Sequence, residues 1–332
     1  KPVERPKMKL KKPKVKVKKN AKPQSSNRIV TKVTKANMPD IQLPELSGMG
    51  EGFGGSGAGT GFDLMPDLGE ITMFGAGESI GSDLVGTFYD FKRDRRGRNI
   101  SIDMDGFLHA LKNFVQSGWK PSKLSRYYRS PKKLYATTIM VPPVFSLVAP
   151  EAFGEPETAG FLWIAHYKGE LMCPPTHPDG ITFRFWGMGD DIMVIGVDGE
   201  VVLNACWPGE FEGRNFGQII EPHWQSSATK SRQYFYGHNV AEIGDWITLE
   251  PGVPQEMQAI IGETPGGHFV AMLAVEVKGE EYERGPQGNP ILPIFKTAVP
   301  SIDLIEQIHE NLVPGEVCVT NGPVFCDYDT SG

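Results

Sequence analysis

Residues 181–204 read ITFRFWGMGDDIMVIGVDGEVVLN, and the fold follows from how they are taken. Phe183 and Phe185 alternate with their neighbours as in a strand, and Ile192, Val194, Val197, Val201 and Leu203 give two more short apolar runs. Asp198-Gly199, between those two runs, is a two-residue hairpin signal, because glycine accepts the positive φ that such a turn needs. Between the first strand and the hairpin stand Gly187, Gly189 and two adjacent carboxylates, Asp190 and Asp191. Adjacent side chains on a regular strand point to opposite faces. Both acids meet one ligand only if the backbone there bends or takes an unusual peptide geometry.

Working outward, other pieces fall in a recognisable order. Gly86-Thr87-Phe88-Tyr89-Asp90 reads as an opening G-x-Y-Y-like strand, and Trp163–Gly169 as a W-x-G-like strand. Leu249-Glu250-Pro251-Gly252 and the run from Gly266 to Leu273 read as closing strands. Together with the Gly-Asp-Asp step and the V-D-G-E-V-V hairpin, this set over residues 84–280 resembles the anthrax protective-antigen-type β-sandwich domain. That module occurs in bacterial toxins, glycosidases and yeast adhesins. The resemblance implies a mostly β fold, an antiparallel sandwich. Residues 92–160 and 205–240 depart from its compact pattern as insertions.

In adhesin members of that family an Asp-Asp pair joined by an unusual peptide bond binds Ca2+, which in turn holds sugar hydroxyls. The resemblance places that pair at Asp190 and Asp191. Ca2+ takes about six to eight oxygen ligands, more than two acids supply. The family's third ligand lies on the loop between the last two strands, here GETPGG at 262–267, where Glu263 is the best match. The adhesin ligand there is an amide. Glu263 therefore either strengthens metal binding by its charge or marks the absence of a sugar site. The other reading of the pair is structural, with both acids accepting from loop amides. Trp186 and Trp207, with Trp224 and Tyr236, are candidates for a sugar platform, against a role in core or interface packing.

Bulk properties add an asymmetry. The 332 residues carry 34 Lys and Arg against 40 Asp and Glu, a net charge of −6. Residues 1–36 hold twelve Lys and two Arg against the single acid Glu4, a charge of +13, which leaves −19 on the remainder. A basic arm on an acidic body points to charge-steered association. The arm, with KMKLKKPKVKVKK and RIVTKVTK, has too little apolar surface to order itself, and it resembles the Pro-Lys-rich periplasmic spacer of TonB-type proteins. Lys14, Lys16 and Lys18, and then Ile29, Val30 and Val33, alternate as needed for strand addition to an exposed sheet edge.

The expected division is a basic extended arm (1–46), a Gly-rich linker and lead-in (47–83), the sandwich (84–280) and a C-terminal extension with a short helix (281–332). The glycine tract at 47–62 lacks a G-K-[ST] ending, which argues against a phosphate loop. Residues 104–116 predict an amphipathic helix with Phe107, Leu108, Leu111, Phe114 and Val115 on one stripe and Gly118 near its end. It reads as an insertion packed on one face of the sandwich. Lys92–Arg98, KRDRRGR, reads as a solvated turn or as a contact for an acidic partner. Tyr127 and Tyr128, between Arg126 and Arg129, suit base stacking less well than an ordinary surface loop. Residues 301–312 predict a second helix with Ile302, Ile305, Ile308 and Leu312 inward.

Enzymatic chemistry finds little support. Adjacent carboxylates do not suit the opposed separation of about 5 Å or more that glycoside hydrolysis needs. The seven histidines show no H-E-x-x-H spacing and no G-x-S-x-G elbow is present. Cys173, Cys206, Cys318 and Cys326 match no zinc motif; in an exported protein the last pair is placed to close a small loop, and otherwise all four are free thiols. No apolar run is long enough to span a membrane. The sequence thus predicts an exported bacterial structural protein, extracellular, on the cell surface or periplasmic, that is not an enzyme. It self-associates by arm exchange, with a filament as one outcome. The alternative is a Ca2+-dependent carbohydrate-binding module with a polysaccharide partner. A third reading is the periplasmic arm of a membrane-energised complex. Nucleic acid is the weakest partner.

Overall fold

Two antiparallel sheets carry the chain. The computed structural model describes residues 72–208, 224–237 and 239–325, with the backbone alone at 210–211 and 214–215. The basic arm with Lys14, Lys16, Lys18, Ile29, Val30 and Val33, the glycine tract and Cys326 lie outside the described residues. The first half contributes β1 (Leu84–Asp94), β2 (Tyr127–Arg129), β3 (Leu134–Ala136), β4 (Met140–Phe145), β5 (Trp163–Leu171), β6 (Ile181–Asp190), β7 (Ile192–Val197) and β8 (Glu200–Asn204). Short pairs follow: β9 (Glu210–Phe211) with β10 (Arg214–Asn215), and β11 (Phe235–Tyr236) with β12 (Asn239–Val240). Then come β13 (Glu242–Ile243), β14 (Ile247–Leu249), β15 (Gln255–Glu263), β16 (His268–Val277), β17 (Leu292–Pro293) and β18 (Val317–Cys318).

The first sheet runs β2-β1-β5-β15-β7-β8, with β3 also on β1. The second runs β13-β6-β16-β4, with β14 also on β6. The expected antiparallel β fold is what forms. The hairpin forms as read: Asp198 (φ 50°) and Gly199 (φ 85°) turn β7 into β8. Between the sheets Trp163 stacks on Phe88 (5.2 Å) and meets Phe269 of the second sheet (5.0 Å). Phe153, from the 92–160 insertion, packs against both Trp163 and Phe269 (5.5 and 6.0 Å). The insertion therefore supplies core as well as surface.

The helix α1 (Met104–Gln116) starts where Asp103 accepts a hydrogen bond from the Gly106 amide. Its apolar stripe covers the outer face of the first sheet. Phe107 meets Phe91 (4.8 Å) and Phe114 meets His166 (5.0 Å), edge to face. A sheet buried on both faces explains why Ile192–Val197 is buried throughout instead of alternating. Gly196 makes room for this third layer, since a Cβ there would stand 2.7 Å from the Trp119 ring. His166 is a satisfied sheet residue. Its Nε2 lies 2.9 Å from Gln258 Oε1, and burial pushes its pKa down to about 4.

Several expectations change. Two further helices form among the described residues, α2 (Ala149–Ala152) and α3 (Ile302–Asn311), and the inward face of α3 differs from the predicted one at one position. Ile308 is buried and Ile305 and Leu312 pack partly buried on the core as expected, but Leu304 takes the inward place and Ile302 is 75% exposed. The basic turn closes on its own strand: Asp94 takes Arg98 at 2.6 Å, and Asp90 takes Lys92 and Arg93, each at 2.8 Å. Tyr127 is buried against Phe91, and the Arg93 guanidinium covers Tyr128 at 3.9 Å, so neither ring is presented for base stacking. The segment after residue 281 is woven into the core. Phe325 packs on Phe183 (4.6 Å), Phe295 on Phe185 (5.6 Å), and the Phe325 carbonyl accepts from the Met172 amide (3.0 Å). These rings fill the sandwich at the far end of β5, away from Trp163.

Candidate functional site

The site lies at the opposite end, where the chain crosses between sheets twice. β6 belongs to the second sheet and β7 to the first, and Asp191 alone connects them. The peptide bond between Asp190 and Asp191 is cis, so the alternation of a regular strand is broken at the two acids. Gly189 allows the tight crossover, since a Cβ there would stand 2.5 Å from the Met193 Cβ. The second crossing is the loop from Glu263, the last residue of β15, to His268, the first of β16. Register fixes the two crossings side by side. Asp190 pairs with Val270, Gly262 pairs with Ile192, and Glu263 pairs with Trp163.

Three carboxylates meet there. Asp190 is 9% exposed, Asp191 4% and Glu263 0%. Asp191 Oδ2 accepts from the Thr264 amide (2.9 Å) and from the Thr264 hydroxyl. Its carbonyl accepts from the Trp207 amide (2.7 Å). Glu263 is held only by its backbone: its carbonyl accepts from the Leu162 amide (2.7 Å). Both of its carboxylate oxygens are enclosed and have no hydrogen-bond partner among the described residues. Removing a carboxylate from water and setting it beside like charge favours the neutral form. Burial, then the charges of Asp191 and Asp190, push Glu263 up to about 12; the Asp191 amide offsets part of that rise without reaching hydrogen-bond geometry. Burial and the Asp190 charge also raise Asp191, against the Thr264 hydrogen bonds.

The space between the acids is bounded by Gly266. A Cβ on it would stand 2.8 Å from Glu263 Oε1 and 3.8 Å from Asp191 Oδ2, while a Cβ on Gly267 would meet nothing within 4 Å. The two oxygens therefore border a gap that a side chain would fill, and the loop is open beyond it. Among the described residues, no three His, Cys, Asp or Glu side chains are grouped so as to hold a metal ion by themselves. The donor set nonetheless fits a hard cation, with three carboxylates and an orphaned pair of oxygens at a glycine-lined gap.

The structure thus brings together Asp190, Asp191 and Glu263, with Trp207 half-buried beside them. It does not bring Trp186. That residue precedes Asp190 by four positions on β6, about 13 Å along the strand. It is 2% exposed, its indole donates to Glu276 (2.6 Å), and it stacks on Tyr234 at 6.1 Å. It lines a separate cavity of about 630 Å³ on the outer face of the second sheet. Trp224 and Tyr236 are also buried, so packing accounts for three of the four aromatics named from the sequence. Thr264 and Gly266 were not singled out by sequence; a hydroxyl next to Glu263 in GETPGG was the available signal.

No family model matches the sequence, and no curated protein matches it. Among solved structures it is similar to the PA14 domain of the antifreeze protein MpAFP, at 15% identity over 61% of this chain and 86% of that one, with a TM-score of 0.34. It is similar to a PA14 sugar-binding domain from an RTX adhesin (14% identity, 60% and 93% covered, TM-score 0.33). The epithelial adhesin 9 A domain of Candida glabrata, solved with Galβ1-3GlcNAc, shares 12% identity over 62% of this chain and 88% of its own, with a TM-score of 0.32. Likeness at this level assigns no residue a role. No helix among the described residues is long and apolar enough to cross a membrane.

Proposed function

We propose that residues 84–280 form a Ca2+-dependent carbohydrate-binding module of the protective-antigen type, working at the cell surface or outside the cell. One observation carries the reading: the Glu263 carboxylate is fully enclosed and unpartnered among the described residues, beside two further acids. Without a cation such a cluster must keep protons well above the usual carboxylate range, at a cost in stability near neutral pH. A divalent cation replaces those protons. Asp190, Asp191 and Glu263 would hold it, and Ca2+, with its high oxygen coordination, leaves places for neutral hydroxyl donors. Neighbouring sugar hydroxyls are such donors, and the open space beyond Gly267 gives them an approach. The site binds without turnover, since Asp190 and Asp191 are adjacent and do not oppose one another across a scissile bond.

The test is a glycan array probed with the full chain in calcium or in EGTA. Calcium-dependent signal is expected, lost in the Asp190→Ala/Asp191→Ala double variant. An array with no calcium-sensitive signal removes the reading. Self-association through the basic arm is a separate proposal, supported by the split of +13 against −19. It predicts a salt-sensitive sedimentation coefficient that falls when residues 1–36 are deleted. Identical, salt-insensitive sedimentation of both chains rules it out.

A further inference from the structure

Three exposed apolar side chains gather at the loop that carries the carboxylates: Phe145 (43% exposed), Leu147 (77%) and Phe161 (36%). Phe145 ends β4, and Leu147 stands in the turn Ser146–Val148 that follows. Ser146, between them, is buried and tied to the loop. Its amide donates to the Gly267 carbonyl (3.2 Å) and its hydroxyl to the Gly266 carbonyl (3.0 Å). Phe161 comes from the other side. Its neighbour Leu162 donates to the Glu263 carbonyl (2.7 Å), and its neighbour Gly160 abuts Leu147, since a Cβ there would stand 2.8 Å from the Leu147 Cα. The two segments thus touch each other and grip the loop at both ends. The bonds that position Glu263 also fix an apolar crest beside the gap between the carboxylates.

The crest restricts what approaches the gap. Leu147 is the most exposed large apolar side chain among the described residues, and it offers a branched aliphatic tip where a flat ring would suit a sugar face. An aliphatic group gains from leaving water whatever apolar surroundings receive it. Phe145 is stacked on His268 (5.5 Å), and Phe161 has the Lys92 Nζ 5.0 Å from its centroid. Apolar side chains bordered by a lysine suit the boundary between headgroups and acyl chains. Charge narrows the kind of membrane. Lys92 is paired with Asp90 (2.8 Å) and adds no net charge. Asp190, Asp191 and Glu263 together outweigh the charge of a divalent cation, and residues 37–332 carry −19. Both repel an anionic headgroup; a neutral one bearing hydroxyls meets no such opposition.

We propose that this crest is a membrane-contact surface. The sugar held at the cation is the headgroup of a neutral glycolipid, and Phe145, Leu147 and Phe161 dip into the lipid around it. The proposal rests on the carbohydrate reading of the carboxylates given above.

The test is flotation of the full chain with vesicles of phosphatidylcholine carrying galactosyl-, glucosyl- or mannosyl-diacylglycerol, in calcium and in EGTA, beside calorimetry with the three free sugars. Calcium-dependent binding to one of these vesicles is expected, tighter than to its free sugar by about tenfold, the worth of burying much of one leucine side chain. Leu147→Gln and, separately, Phe161→Gln remove most of that gain and leave free-sugar affinity unchanged. Leu147 is so exposed that its replacement leaves the packing intact. Vesicle affinity no higher than that for the free sugar, or a gain that survives both variants, overturns the lipid contact and leaves the sugar site standing. So does a calcium-dependent dimer, seen by sedimentation without vesicle binding and lost in Leu147→Gln, which assigns the crest to a second copy. Binding to phosphatidylserine vesicles alone, abolished in molar salt, overturns the proposal in favour of the basic arm. No calcium-dependent binding to any of these sugars or vesicles overturns both readings.

Discussion

Replacing Glu263 by glutamine should stabilise the metal-free protein and destabilise the calcium form. In the folded chain Glu263 is raised from 4.5 to about 12. A raised folded pKa contributes stability in full below the unfolded value and loses it as pH rises toward the folded one. Each unit above 4.5 costs about 1.4 kcal/mol, so about 4 kcal/mol is forfeited by about pH 7.5. Glutamine removes that titration. A buried amide lacking partners costs about 1–3 kcal/mol, so the variant should be more stable in EGTA by about 1–3 kcal/mol. Near pH 5 the titration gives it less than about 1 kcal/mol, and the advantage should vanish. Saturating calcium reverses the order. At a hundredfold excess over Kd the ion stabilises the wild type by about 2.7 kcal/mol, and the variant has lost one of three charged ligands. The assay is urea unfolding followed by tryptophan fluorescence, in calcium and in EGTA, at both pH values. The reasoning fails if wild type and variant keep the same order of stability in both media.

Three further outcomes follow from the geometry. Gly266→Ala, which sets a Cβ 2.8 Å from Glu263 Oε1, should push that carboxylate aside and weaken calcium binding about tenfold, read by calorimetry. His166, lowered from 6.5 to about 4, contributes stability that is fully present above pH 6.5 and is lost as pH falls toward 4. The loss should total about 3 kcal/mol, and the unfolding curves of His166→Gln should lack it. Phe325→Ala should cost about 3–5 kcal/mol of stability, measured in urea, with calcium affinity unchanged in the folded fraction.

Local chemistry made part of this legible. Asp198-Gly199 dictated its turn, and the helix at 104–116 showed a stripe that only one outer layer satisfies. The acidic pair could be placed because the Gly-Asp-Asp step stands between an aromatic strand and the V-D-G-E-V-V hairpin, the order on which the resemblance rests. What periodicity cannot do is choose among competing apolar stripes. SIDLIEQIHENL offers either Ile302 or Leu304 as the first inward residue of the stripe that holds Ile308, and packing against β4 selected Leu304. Nor does residue type give distance: Trp186 shares a strand with Asp190 yet serves the opposite task of covering Glu276. Phe325 was beyond reach for a different reason, since its partners Met172 and Phe183 lie more than a hundred positions earlier.

That late plug has a kinetic meaning. On a ribosome, β5 and β6 emerge long before the rings that must close the space between them. Until Phe295 and Phe325 have left the exit tunnel, the nascent sandwich is open at one pole, with Phe183 and Phe185 facing water. Loop closure over such separations is slow, and exposed strands in the interval invite mispairing. Until those two rings arrive, β5 and β6 are the part of this fold most exposed to that hazard.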